Sequence, residues 1–198
     1  MAKLLLVLTG KTASGKDTVV SKLMLKFPDF KKIITTTSRE ERPGEENGVD
    51  YNFVSGEEFK NMAGAGEFIE YVEYAGNFYG TEKIRLLKNL QQNLIWRIDP
   101  SRAGKIRNLI SDSFEGGPAE DLLKRVITIY LTVDDQVVLT RLKKRGLNKE
   151  EIDKRMNEDA KFWQEFKDNY DYIVENIPGE LDKTVEKVSR IIKDRIEM

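Results

Sequence analysis

Cysteine and histidine are both absent from this chain of 198 residues. Without cysteine the chain can form neither disulfides nor thiolate metal sites. Without histidine it lacks the most common general base and metal ligand of proteins. Any chemistry must therefore depend on Lys, Arg, Asp, Glu, Tyr, Ser and Thr. Phosphoryl transfer suits that restriction because it needs mainly positioning and charge neutralisation.

The chain also has little net charge and no long hydrophobic run. Its 33 basic and 34 acidic residues nearly cancel, so the composition gives no support for binding to nucleic acid or to an acidic membrane surface. The apolar run at residues 4–8 is too short to span a membrane and has no signal-peptide cleavage pattern, which predicts a cytoplasmic location. The length predicts one domain, with room for inserted lobes.

A glycine-containing loop follows that apolar run and precedes a helix-like segment, the order typical of a phosphate-binding loop. Gly10 and Gly15 allow the backbone N–H groups to turn inward, and the helix N-terminus adds partial positive charge. Lys16 supplies a full positive charge for the outer phosphates. The alternative is a glycine turn with an incidental lysine. The predicted nucleotide-binding residues of this loop are Gly10, Lys11, Thr12, Ala13, Ser14, Gly15, Lys16, Asp17 and Thr18.

Strands alternate with helices along most of the chain, which predicts an α/β fold with a parallel sheet. The β-branched run Lys32–Thr36 predicts a short strand. Residues 37–80 contain many turn formers and predict a small, mostly antiparallel lobe inserted into the main sheet. Thr81 is predicted to cap a helix that ends near Leu90. The turn-rich segment Ser111–Glu120 is predicted to be a surface loop.

Two arginines and two tyrosines indicate a second anion site. Arg39 and Arg42 lie three residues apart in a polar loop, and arginine is suited to bidentate phosphate contacts. Tyr51 and Tyr79 carry hydroxyl donors beside predicted turns. The alternatives are a solvated loop for the arginines and half-buried packing for the tyrosines.

The amino-acid sequence around these four residues resembles that of the guanylate kinase family. It reads Thr-Thr-Thr-Ser-Arg-x-x-Arg-Pro-Gly from residue 35, Gly-Glu-Phe-Ile-Glu-Tyr from residue 66 and Gly-Asn-Phe-Tyr-Gly-Thr from residue 76. The resemblance implies a P-loop NTPase-type three-layer α/β fold with a parallel core sheet. It also implies a division into a core (residues 1–36, 81–140 and 168–198), a GMP-binding lobe (37–80) and a helical lid (about 141–167).

By this resemblance, each matching residue takes a role. The residues expected to hold the phosphate of the acceptor are Arg39, Arg42, Tyr51 and Tyr79. Thr35, Glu70 and Thr81 are expected to read the base. One carboxylate can accept hydrogen bonds from both N1–H and the 2-amino group of guanine, and adenine lacks that pattern. A surface carboxylate on a strand is the alternative for Glu70.

The charged stretch after residue 140 corresponds to the family's lid. Arg141, Arg145 and Arg155 are candidates to close over the triphosphate and, with Lys16 and Arg39, to neutralise charge in the transition state. A solvated helix face is the alternative for these charges. Asn176 falls where the family places an adenine contact, and it could equally be a turn residue before Pro178.

Two positions depart from the family pattern. Asp17 replaces the hydroxyl residue that follows the loop lysine and holds magnesium, so either Asp17 or Thr18 is expected to serve the metal. Arg97 stands where the family has an acid that helps to read guanine, which puts strict guanine selectivity in question. Asp99 matches a second acid of the family and is a candidate partner for magnesium or lysine.

The resemblance implies Mg²⁺-dependent phosphorylation of GMP, or dGMP, by ATP. One alternative is a kinase of the same fold that acts on another nucleoside monophosphate or phosphorylated small molecule. A non-catalytic interaction module of this shape is another, although such modules typically lose the phosphate loop. We expect small-molecule nucleotides as partners, with no nucleic acid and no membrane, and a monomer or homodimer.

Overall fold

The structure is a computed structural model that describes residues 3–74 and 76–197. The strands within these residues are β1 (Leu5–Gly10), β2 (Phe30–Lys32), β3 (Thr36–Thr37), β4 (Asn52–Phe53), β5 (Phe68–Tyr74), β6 (Asn77–Glu82), β7 (Asn93–Arg97), β8 (Val126–Thr132) and β9 (Tyr172–Glu175). The α-helices are α1 (Lys16–Lys26), α2 (Gly56–Gly64), α3 (Lys83–Leu87), α4 (Pro100–Ala103), α5 (Ile106–Ser113), α6 (Gly117–Arg125), α7 (Asp135–Lys144), α8 (Lys149–Phe166) and α9 (Leu181–Glu197).

Five strands form a parallel sheet in the order β2-β7-β1-β8-β9. The central strand is β1, where Leu5 lies opposite Leu94 of β7 and Val126 of β8. Every residue of β1 is buried, as expected of a parallel strand that is covered on both faces. The predicted α/β fold with a parallel sheet is therefore confirmed.

Side chains that alternate along β1 enter two separate apolar clusters, one on each face of the sheet. Leu5 and Val7 pack in the cluster that α5, α6 and the end of α8 cover. Leu6 and Leu8 pack in the cluster that α1 and α9 cover. The sheet is thus the middle layer of three, and burial of each of these leucine side chains contributes about 2 kcal/mol.

Four short strands form a second sheet in the order β4-β3-β6-β5. Strand β6 pairs antiparallel with β3 and with β5, whereas β3 and β4 are parallel. Phe59 of α2 stacks on Phe68 and Phe78, with ring centroids 4.4 and 5.3 Å apart, and so holds α2 on this sheet. The sheet is mostly antiparallel, as predicted, while the boundaries of a core, a lobe and a lid stay predictions.

The predicted strand Lys32–Thr36 is wrong because the run is divided between the two sheets. Its first residue ends β2, which pairs with β7 of the parallel sheet. Its last residue begins β3, which pairs with β6 of the second sheet. Between them, Ile33 donates its N–H to Ile95 and is buried. The chain therefore leaves the core here and enters the second sheet.

Two further predictions about local structure are wrong. Thr81 does not cap a helix but lies inside β6, and α3 begins two residues later with Glu82 as its N-cap. The segment Ser111–Glu120 is not a surface loop, because it contains the end of α5 and the first turn of α6. Pro118 fits that first turn, where its missing N–H needs no partner. Phe114 is buried in the core.

Within residues 3–74 and 76–197, no helix combines the length and the apolar composition that a membrane crossing requires.

Candidate active site

The loop between β1 and α1 has a backbone that only glycine can adopt at two positions. Gly10 has φ of +145°, and a Cβ there would lie 2.1 Å from the carbonyl oxygen of Leu131 in β8. Gly15 has φ of +89°, and a Cβ there would lie 2.7 Å from Nδ2 of Asn176. Ala13 also has a positive φ, +56°. The curled geometry predicted for a phosphate-binding loop is thus built into the packing of the loop on the sheet.

Lys16 points its ammonium back into this loop. Nζ donates to the carbonyl oxygens of Gly10 at 2.7 Å and Lys11 at 2.8 Å. Desolvation and, next, the positive charge of Arg97 lower the pKa of Lys16 to about 8, against the opposing effect of Asp159. A phosphate group at this position would raise the pKa of Lys16 again, because a nearby anion favours the charged ammonium.

Other residues of the loop are held by contacts with residues that lie outside it. Lys11 pairs with Asp135 and donates to the carbonyl oxygen of Val133, so its charge is directed towards the start of α7. Asn176 is buried, and its Nδ2 donates to the carbonyl oxygen of Ser14 at 2.7 Å. These contacts fix the shape of the loop before any ligand binds.

Asp159 is a carboxylate of α8 that contacts the loop, and it was not predicted from the sequence. It is buried and accepts a hydrogen bond of 2.8 Å from the backbone N–H of Thr12. One signal could have found it. Asp159 continues the helical spacing of Ile152 and Trp163, so it is an acid on an otherwise apolar stripe of α8.

A cavity of about 450 Å³ opens beside the loop, towards the second sheet. Its lining includes seven residues that were discussed from the sequence: Asp17, Thr35, Arg39, Arg42, Tyr51, Tyr79 and Arg97. All four residues of the predicted second anion site therefore meet in one cavity, next to the first turn of α1. Their role in binding a ligand stays a prediction.

Arg39 is held firmly within this cavity. Its Nη2 donates to both carboxylate oxygens of Glu45, at 2.8 and 2.9 Å, and the same carboxylate accepts from the backbone N–H of Arg42. The guanidinium carbon of Arg39 lies 5.4 Å from the ring centroid of Tyr51, and the Tyr51 ring is 6.2 Å from that of Tyr79, edge on. The sequence pattern did not predict Glu45 as the residue that orients Arg39.

Glu70 and Thr81 form a buried pair rather than part of the lining of that cavity. The hydroxyl of Thr81 donates to Oε1 of Glu70 at 2.6 Å and accepts from Nε1 of Trp96 at 2.9 Å. Desolvation raises the pKa of Glu70 to about 7, although the hydrogen bond from Thr81 acts in the opposite direction. Glu70 is thus a carboxylate whose charge is poorly solvated, a state that hydrogen-bond donors of a ligand would relieve.

A second cavity, of about 240 Å³, lies on the other side of the loop. Its lining includes Ala13, Gly15, Thr18, Arg141, Arg145 and Asn176. Arg141 donates from Nη1 to the carbonyl oxygen of Ala13 at 2.6 Å. Arg155 lies elsewhere, with its guanidinium carbon 5.1 Å from the ring centroid of Tyr74 in β5. The three predicted lid arginines are therefore divided between the loop and the second sheet.

The two positions that depart from the family pattern contact each other. Nε of Arg97 lies 2.9 Å from Oδ1 of Asp17, whose side chain is 81% exposed. Asp99 caps α4 instead, where Oδ1 accepts from the backbone N–H and the hydroxyl of Ser101 at 2.8 and 2.6 Å. Among the described residues, no group of three or more acidic or other metal-ligating side chains is arranged so that it could hold a metal ion.

The chain is similar in sequence to known guanylate kinases. A sequence model of the guanylate kinase family matches residues 2–195. A guanylate kinase of Wolbachia sp. subsp. Brugia malayi is 32% identical over 198 residues, which cover 98% of this chain and 94% of that protein. A guanylate kinase of a Synechococcus strain is 33% identical over 177 residues, which cover 87% of this chain and 75% of that protein.

Among solved structures, guanylate kinase from Anaplasma phagocytophilum superposes with a TM-score of 0.69 at 23% identity, covering 98% of this chain and 85% of that one. At that identity the likeness shows a shared fold. The family match and the curated relatives show more than the fold. The chain belongs to the guanylate kinase family, a family of nucleoside monophosphate kinases.

Proposed function

We propose that this protein phosphorylates GMP, or dGMP, with ATP as the donor. The observation that carries the proposal is the position of the phosphate loop between two cavities. One cavity is lined by Arg39, Arg42, Tyr51 and Tyr79 and suits the phosphate of an acceptor. The other is lined by Ala13, Gly15 and Thr18 of the loop and suits the donor nucleotide.

Guanine recognition is assigned to Glu70 and Thr81. A carboxylate can accept about four hydrogen bonds, and the Thr81 hydroxyl supplies one of them to Glu70 here. The N1–H and the 2-amino group of guanine would supply two more. Adenine offers no such pair of adjacent donors, so the buried carboxylate would stay poorly solvated beside it.

The transfer itself needs little covalent help from the protein. An oxygen of the acceptor's phosphate bonds to the γ-phosphorus of ATP, the bond from that phosphorus to the bridging oxygen breaks, and ADP leaves. Lys16, Arg141 and Arg145 would neutralise charge on the donor phosphates, and Arg39 and Arg42 would do so on the acceptor. Exclusion of water would prevent hydrolysis of ATP.

The residues present fit a magnesium ion that arrives with the nucleotide. Mg²⁺ is typically bound by one or two carboxylates together with phosphate oxygens and waters, so a cluster of three protein ligands is not needed. Asp17, which is largely exposed beside the loop, and Asp99 are the carboxylates that would hold it. The ion supplies charge neutralisation at the phosphates when bound.

The two alternative functions that the sequence leaves open are less well supported by the structure. A non-catalytic module is disfavoured because Lys16 and the strained loop backbone are intact. A different acceptor was suggested by Arg97, yet this residue contacts Asp17 and Tyr51, whereas Glu70 and Thr81 lie in a separate buried pair. A cytoplasmic location and the oligomeric state stay predictions.

A panel of acceptors tests the proposal. Purified protein with ATP and Mg²⁺ should phosphorylate GMP and dGMP far better than AMP, UMP or sugar phosphates, measured by ADP release and by separation of the products. Turnover of another acceptor at a higher kcat/KM than GMP would overturn the assignment of guanine.

A further inference from the structure

Arg97 connects the phosphate loop with the proposed acceptor site. Its Nε pairs with Oδ1 of Asp17 at 2.9 Å, and its Nη2 donates to the hydroxyl oxygen of Tyr51 at 2.7 Å. The side chain is 31% exposed and lines the cavity of about 450 Å³. One guanidinium thus joins the first turn of α1 to a tyrosine of the opposite wall.

The fold fixes where this guanidinium can reach. Arg97 ends β7 opposite Leu8 of β1, two residues before the phosphate loop begins. Its charge acts directly on Lys16, whose pKa it lowers. Arg97 therefore lies close to the point at which the donor and acceptor phosphates would meet.

The hydrogen bond to Tyr51 also directs the tyrosine's own proton. The hydroxyl oxygen accepts from Arg97, so the single O–H of Tyr51 must be donated to a different group. The ring of Tyr51 contacts Arg39 and Tyr79, and Tyr51 lines the cavity, so a ligand there can accept from its O–H. A phosphate oxygen is the acceptor that best fits a cavity lined by several cations.

Arg97 has further N–H donors that are free in number to bind a phosphate ligand. Its planar guanidinium carries five N–H groups, and the hydrogen bond to Tyr51 uses one of them. Asp17 forms an ion pair with the guanidinium at Nε, while Nη2 of Arg97 donates to Tyr51. The arrangement is that of an arginine pre-oriented for a phosphate, with Asp17 as the group that orients it.

We propose that Arg97 is a phosphate-binding residue for the acceptor, acting together with the Tyr51 hydroxyl and held in position by Asp17. The inference rests on the proposed function, because it assumes a monophosphate acceptor in this cavity. It assigns Arg97 to the phosphate and not to the base. Selectivity for guanine therefore stays with Glu70 and Thr81, despite the loss of an acid at this position.

The first test compares Arg97→Met and Arg97→Lys with the wild-type protein. Arg97→Met should raise the KM for GMP, and the Kd for GMP measured by calorimetry without ATP or Mg²⁺, by about 10- to 100-fold, the loss expected for hydrogen bonds to a charged group. Arg97→Lys should fall between the two. The ratio of kcat/KM for GMP to that for AMP should not change, because both acceptors carry the phosphate.

Arg107→Met is the matched control. Arg107 also pairs with an aspartate at 2.9 Å, Asp171, but on the surface at the far end of the sheet. This variant should keep the GMP affinity of the wild type, and thermal unfolding of all variants shows whether each is folded.

The role of Asp17 is tested by a double-mutant cycle on GMP affinity, again without ATP or Mg²⁺. Asp17→Ala, which removes the carboxylate altogether, should weaken GMP binding in the wild-type background and have much less effect in Arg97→Met, since the two residues act as one unit. Suppose that wild type phosphorylates GMP but Arg97→Met binds it as tightly as wild type, or loses its preference for GMP over AMP. The inference is then wrong while the proposed function stands. Absence of GMP phosphorylation by wild type contradicts the proposed function instead.

Discussion

Asp159 of α8 accepts a hydrogen bond of 2.8 Å from the backbone N–H of Thr12, so this helix contacts the phosphate loop directly. The carboxylate is 5% exposed. Desolvation raises the pKa of Asp159, and the hydrogen bond from Thr12 and the charge of Lys16 oppose that shift. A negative charge thus lies beside the loop that is proposed to bind an anionic nucleotide.

Asp159→Asn should therefore tighten the binding of ATP. The asparagine keeps the size of the side chain and an oxygen that can accept from Thr12, but it removes the charge that repels the phosphates. We expect the Kd for ATP to fall about five-fold, which corresponds to a repulsion of about 1 kcal/mol. Isothermal calorimetry at low salt measures this. Glu158→Gln makes the same charge change one residue away and should have a smaller effect, whereas weaker ATP binding by Asp159→Asn would show that the charge orders the loop.

Glu70 should make the stability of the protein depend on pH. Its pKa is raised from 4.5 to about 7 by desolvation, so the folded state binds a proton more tightly than the unfolded state does. The stability that this protonation provides is fully present below pH 4.5 and is lost as the pH rises through 7.

Comparison with Glu70→Gln isolates this effect from other titrating groups. The free energy of unfolding of the wild type, relative to that of the variant, should fall by roughly 3 kcal/mol across this pH range. Urea denaturation at a series of pH values gives both free energies. A difference that is constant with pH would mean that Glu70 titrates normally.

The geometry of the phosphate loop could largely be predicted from the sequence, because it depends on local residues. The spacing of Gly10 and Gly15 and the apolar run before them are sufficient to predict a curled loop at the end of a strand. Asp159 was not predicted because its place on the apolar stripe of α8 indicates burial but not which distant residue it contacts. Its partner, Thr12, is 147 residues away.

The same limit explains the errors in the second sheet. The β-branched run that ends at Thr36 has strand propensity throughout. Propensity does not determine which strands pair, so it could not show that the run is divided between two sheets. Thr81 is a good N-cap by type, yet pairing with Glu70 across β5 and β6 places it inside a strand. For Arg97, the sequence showed a departure from the family but not its contact with Asp17, which only the register of β7 beside β1 produces.

Gly10→Ala should be strongly destabilising. A Cβ would lie 2.1 Å from the carbonyl oxygen of Leu131, so β8 must move away from β1. Gly44→Ala is the matched control. It also has a positive φ, +87°, but the described part of the chain places no atom within 4 Å of the added Cβ.

The control should lose about 1–2 kcal/mol of stability, the strain of the left-handed region alone. Gly10→Ala should lose clearly more, measured as the free energy of unfolding in urea. Equal losses for the two variants would show that the loop is not packed against β8 in the way described.

Transfer of a labelled γ-phosphate from ATP to GMP tests the central claim most directly. With Mg²⁺ present, the wild-type protein should place the label on the β-phosphate of GDP, and Lys16→Ala should slow that reaction by about 100-fold or more, because a charge that stabilises the transition state is lost. Label released only as inorganic phosphate, or a Lys16→Ala variant as active as the wild type, would contradict the claim that this loop delivers the phosphoryl group to GMP.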